Sequence, residues 1–144
     1  MIKGLSHACF VVADLGKSLA FYRDKLGLEV AFELNLNQGK TRGVYLHPGG
    51  RGFVELFQGE SVPTPGNASY KHICLEVDDI EATVATLRER GVEVSDVTLG
   101  KDQTWQAWLA DPDGNRIELH AYTPESWQGP ALRPPIGPSG HSPL

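Results

Sequence analysis

The chain states one module twice, and that repetition constrains its fold more than any other feature. The segment SHACFVVADL at 6–15 returns as KHICLEVDDI at 71–80. In both copies a His opens an apolar run, a Cys follows two residues on, and an Asp closes it. GGRGFVELF at 49–57 returns as DGNRIELHA at 113–121, with a Glu in the same place. Asp14 and Asp79 are 65 apart, Gly27 and Gly91 are 64 apart, and Glu55 and Glu118 are 63 apart. A spacing that drifts by one residue at a time is what small loop changes produce. Two copies of this length are too few and too long for a solenoid. A duplicated supersecondary unit is the reading.

Each unit has the same internal order. Residues 5–12 are apolar and rich in strand-forming side chains. Asp14 is placed to cap a helix, because its carboxylate can accept from the unpaired amides of the first turn. Leu15, Leu19, Tyr22 and Leu26 then recur at helical spacing, and Gly27 supplies the left-handed residue that ends the run. In the second unit Asp79 caps, Ile80, Val84 and Leu87 form the stripe, and Gly91 ends it. Extended segments are predicted at about 29–36, 42–47 and 52–58, and again at about 92–98, 104–110 and 115–122. HPGGRG at 47–52 and DPDGN at 111–115 carry turn chemistry between antiparallel strands. The expected fold is α+β: two tandem βαβββ modules, about 1–60 and 68–122, forming a cupped mixed sheet with helices on the convex side. Residues 123–144, dense in Pro and Gly, form a tail that packs on the domain or across a dimer, or else is mobile, with Trp127 as its large apolar anchor.

Composition excludes several classes of function. A net charge of −5 gives no basic footprint, so nucleic acid is not an expected partner. No apolar run approaches the roughly 20 residues needed to span a bilayer, and the first residues lead straight into a strand, with no secretory pattern. Two cysteines, Cys9 and Cys74, do not make a disulfide framework, and a reducing cytoplasm is the expected location. Open sheet edges favour a partner, and a homodimer is expected.

Alternation along the strands decides which side chains share a face. His7, Cys9 and Val11 oppose Ala8, Phe10 and Val12. His72, Cys74 and Glu76 oppose Ile73, Leu75 and Val77. Glu55 opposes Val54 and Leu56, and Glu118 with His120 opposes Ile117 and Leu119. The uniformly apolar set should pack on the helices, which turns both His and both Glu to the concave face. A lone strand histidine or glutamate ordinarily needs no special explanation. Two of each, at matched positions of duplicated units, read as a metal site, because a carboxylate among apolar neighbours is costly to bury unless it is paired or bound to a metal.

The motifs HACFVVADLGKSLAFYRDKLGLEV, KHICLEVDDIEATVATLRERGVEV and LADPDGNRIELH resemble the vicinal oxygen chelate superfamily over about 2–122. That superfamily includes glyoxalase I, fosfomycin-resistance proteins, methylmalonyl-CoA epimerase, extradiol dioxygenases and bleomycin-binding proteins. The resemblance implies one divalent metal per site (Ni, Zn, Co, Fe or Mn) held by His7, Glu55, His72 and Glu118, the ligand order of glyoxalase I. Fosfomycin-resistance enzymes and extradiol dioxygenases have no ligand at the Glu55 position. It further implies a small-molecule substrate and a lyase or isomerase reaction, in which a proton moves by way of a metal-bound enediolate of an α-oxo or α-hydroxy carbonyl compound. Glu118 is the expected base, assisted by Glu55. Val11, Glu76, Lys101 and Trp105 are the candidate substrate contacts. Glyoxalase I places an Arg and an Asn where this chain has Val11 and Gly59, so glutathione is not the expected co-substrate. The competing readings are an epimerase, an Fe(II) extradiol-type dioxygenase and an antibiotic-binding protein. In related dimers the ligands of one site often come from both subunits.

Overall fold

The computed structural model describes residues 4–36, 38, 41–63, 65–66 and 68–132. The far end of the expected tail, 133–144, lies outside them. The elements follow the predicted order twice. Strand β1 (His7–Val12), helix α1 (Leu15–Leu19), and strands β2 (Glu29–Leu36), β3 (Thr41–His47) and β4 (Phe53–Gln58) make the first module. Strand β5 (Ile73–Glu76), helix α2 (Ile80–Glu89), and strands β6 (Thr98–Leu99), β7 (Trp105–Ala110) and β8 (Arg116–Ala121) make the second. The two sheets have matching orders, β1-β4-β3-β2 and β5-β8-β7-β6. The first strand of each runs parallel to the last, and the remaining pairings are antiparallel.

The local signals act as their chemistry requires. The Asp14 carboxylate accepts from the Lys17 amide at 3.0 Å, and Asp79 accepts from the Ala82 amide at 2.9 Å. Gly27 and Gly91 end the two helices at φ +79° and +73°, values that L side chains adopt at a cost. The first helix departs from the simple pattern. After α1 it widens into a π turn over Ala20–Lys25, where Leu26 donates to the carbonyl of Phe21, five residues back. Phe21 and Tyr22 are both buried in that turn.

The predicted strand at 92–98 shrinks to two residues, and hydrogen bonding explains why. The Arg88 guanidinium donates to the carbonyls of Val94 and Ser95, both at 3.0 Å. The Trp108 amide therefore meets the Ser95 hydroxyl, at 2.9 Å, where a ladder would offer a carbonyl.

One hydrophobic cluster runs through both modules. Phe10, Val12, Leu46, Val54 and Leu56 of the first join Ile80, Val84, Leu109, Ile117 and Leu119 of the second. Polar contacts also cross between them. The Tyr22 hydroxyl donates to the buried Asp111 carboxylate at 2.9 Å, and the Ala13 amide donates to Asp113 at 2.9 Å. Asp111 in turn accepts from the amides of Asp113 and Asn115, so the DPDGN turn docks its own module onto the first helix.

Residues 123–132 lie against the turn before β7. The Thr123 and Ser126 hydroxyls donate to the Gln103 carbonyl, and the Gln128 amide donates to Asp102 at 2.6 Å. Trp127 does not anchor this segment within its own chain. Its side chain is 72% exposed, and small polar groups hold the segment instead. Among the described residues no helix is long and apolar enough to cross a membrane.

Candidate metal centre

Strand register sets each candidate His on the same face as a candidate Glu. Cys9 lies opposite Glu55 in the parallel pair of β1 and β4, and Cys74 lies opposite Glu118 in that of β5 and β8. Each His therefore emerges on the face of its own module's Glu. His7 Nε2 is 3.3 Å from Glu55 Oε2, and His72 Nε2 is 3.0 Å from Glu118 Oε2. Both carboxylates are buried, Glu55 at 6% and Glu118 at 7% exposure, while the two His rings remain partly open. No lysine or arginine pairs with either carboxylate among the described residues.

The two pairs stay apart within one chain. The one group of three or more His, Cys, Asp or Glu whose ligand atoms converge among the described residues is Cys74, Glu118 and His120. The chain thus carries two His–Glu pairs, one per module, as candidate half-sites.

Further side chains complete each half-site. In the first, Tyr45 lies opposite Glu55 in register, and that carboxylate, with some burial, raises the phenol to about 12. Burial and the same carboxylate push the Cys9 thiol up to about 11. Tyr45 also meets the His7 ring edge-on at 5.6 Å and stacks on Phe32 at 4.4 Å. In the second, burial and the Glu118 carboxylate push the Cys74 thiol up to about 12. Both thiols are protonated near neutrality and poor nucleophiles. Trp108 meets the His72 ring edge-on at 4.9 Å and carries the Arg116 guanidinium at 4.5 Å. His120 Nδ1 is 3.5 Å from Glu118 Oε1, and its Nε2 is buried without a partner among the described residues.

The substrate candidates divide. Val11 is on the His7 face, 48% exposed, and borders an open groove of about 430 Å³. Glu76 is exposed on the His72 face, opposite His120 in register. Lys101 is exposed in the turn before β7. Trp105 points the other way. It pairs with Ala121, on the parity of the core residues Ala107 and Leu109, so Trp108 is the tryptophan of the ligand face. Tyr45 escaped the sequence reading although a signal existed. It precedes Trp108 by 63 residues, the separation of the two glutamates.

Each of the two matched modules thus presents one imidazole beside one buried carboxylate. Residues 4–119 match the family model of the Glyoxalase/Bleomycin resistance protein/Dioxygenase superfamily, and the chain belongs to that superfamily. It is 31% identical over 127 residues to the metallothiol transferase FosB of Staphylococcus epidermidis, covering 83% of this chain and 84% of that protein. Among solved structures it is similar to SMU.1112c, with TM-score 0.74 and 28% identity over 83% of this chain and 99% of the other. It is also similar to a glyoxalase family protein from Enterococcus faecalis, with TM-score 0.71 and 26% identity over 82% and 97%.

Proposed function

We propose that the protein is a divalent-metal-dependent lyase or isomerase of glyoxalase I type, working as a homodimer on a small α-oxo or α-hydroxy carbonyl compound. The observation that carries this reading is the pair of buried glutamates, each facing a histidine of its own module. The donors fit a metal. Two buried carboxylates without a cationic partner, together with two imidazoles, suit a borderline divalent ion, and the four donors leave room for a chelating substrate. The two half-sites do not converge in one chain, so one module of each subunit would contribute to a site.

His7, Glu55, His72 and Glu118 would hold the ion, which when bound would polarise adjacent substrate oxygens and acidify the neighbouring C–H. Glu118 would take that proton and return it to the next carbon. Tyr45, opposite Glu55 in register, would help to orient it, and Val11 and Glu76 would border the substrate.

A second reading, thiol transfer of the kind named for the FosB relative, is favoured by 31% identity across most of both chains. One experiment separates the two. Purified protein reconstituted with Ni, Zn, Co or Mn is assayed with methylglyoxal and a panel of thiols, and separately with fosfomycin and the same thiols. Isomerisation of the hemithioacetal supports the first reading. Thiol addition to fosfomycin without isomerisation overturns it in favour of the second. No metal bound and no thermal shift with any ion would overturn both.

A further inference from the structure

We infer that Cys74, Glu118 and His120 form a second metal position, confined to the second module and suited to a thiophilic divalent ion such as zinc. The ladder brings the three together. Cys74 lies opposite Glu118, and His120 follows on the same face two residues along β8. Their ligand atoms all lie within 4.8 Å of one another. Bonds of about 2.0–2.3 Å in a tetrahedral zinc site put neighbouring donor atoms about 3.3–3.7 Å apart. The 3.5 Å between His120 Nδ1 and Glu118 Oε1 falls in that range and is long for a hydrogen bond.

Glu118 divides its two oxygens. Oε2 faces His72, while Oε1 faces His120, so the carboxylate can serve this position and the half-site of His72 from opposite sides. His120 is the third donor, and its side chain is 8% exposed. The atom that faces Glu118 is Nδ1, so Nδ1 is the donor and the buried Nε2 carries the imidazole proton. The residue 63 positions earlier is Phe57, which has no ligand atom, so the feature is particular to one module. Cys74 is exposed and leaves a path for an ion to enter. One sulfur, one nitrogen and one oxygen donor select zinc or cobalt over magnesium or manganese, and three protein ligands leave one coordination position open.

Cobalt(II) tests this in the full-length protein, because a thiolate bound to cobalt gives a near-ultraviolet charge-transfer band that nitrogen and oxygen donors do not. The expected result is that band on Co(II) titration, abolished by Cys74→Ser and retained in Cys9→Ser and His7→Ala. Cobalt binding with no such band, or a band that survives Cys74→Ser, would overturn the inference. So would a band lost in His7→Ala, which would tie it to the shared site. A fall in bound Co(II) from two to one per chain in His7→Ala, with the charge-transfer band intact, separates failure of the shared site from failure of this one. Circular dichroism of Cys74→Ser matching the parent excludes misfolding as the cause of a lost band.

Discussion

Under the proposed reading Glu118 and Glu55 carry the chemistry, and they should respond differently to substitution. Glu118→Gln keeps the shape and removes the base, so turnover should fall by about 10²–10⁴-fold. Glu55→Gln should lower turnover by a similar order under the isomerase reading and leave thiol transfer nearly unchanged, as steady-state kinetics on both substrates would show. Elsewhere, Tyr22 sets an alkaline limit on stability. Burial and the Asp111 carboxylate raise its phenol far above the ordinary tyrosine value. The folded chain then holds a proton that the unfolded chain releases above pH ~10, so stability is full below that pH and declines as pH rises beyond it. Urea titrations from pH 8 to 11 should show this decline, and Tyr22→Phe should flatten it. Asp111→Ala is the harsher change. It strands the buried Tyr22 hydroxyl and two turn amides, at a cost of about 1–3 kcal/mol for the hydroxyl alone.

Helix ends illustrate what could be read directly at the scale of elements. Asp14, Asp79, Gly27 and Gly91 act as local chemistry dictates, because a cap needs only its own next turn. Asp79→Ala should cost about 1 kcal/mol, measurable by chemical denaturation. The segment 92–97 was not legible in this way. Its residues suit a strand, and a guanidinium from α2 takes the carbonyls a strand would use. The π turn was hidden for a related reason, since the spacing of Leu15, Leu19, Tyr22 and Leu26 does not reveal one widened turn. Trp127 stays exposed on its own domain because hydrophobicity alone does not say where a side chain lands.

Whole-molecule organisation decides where a site can exist. If each site joins the first module of one subunit to the second module of its partner, two inactive variants should rescue each other. Mixing His7→Ala/Glu55→Gln with His72→Ala/Glu118→Gln after unfolding and refolding together should restore about a quarter of the parental sites, since half the dimers are mixed and each carries one intact site. No rescue would place each site within a single chain. The duplication, the module order and the face of every candidate ligand were determined by the sequence alone, because period-two alternation and repeat spacing are local properties of the chain. Only the tertiary structure decided that the four ligands form two pairs instead of one cluster. It also set Trp108 in place of Trp105 on the ligand face and gathered Cys74, Glu118 and His120. These depend on how strands in different parts of the chain are registered and how the modules are placed, which no local pattern encodes.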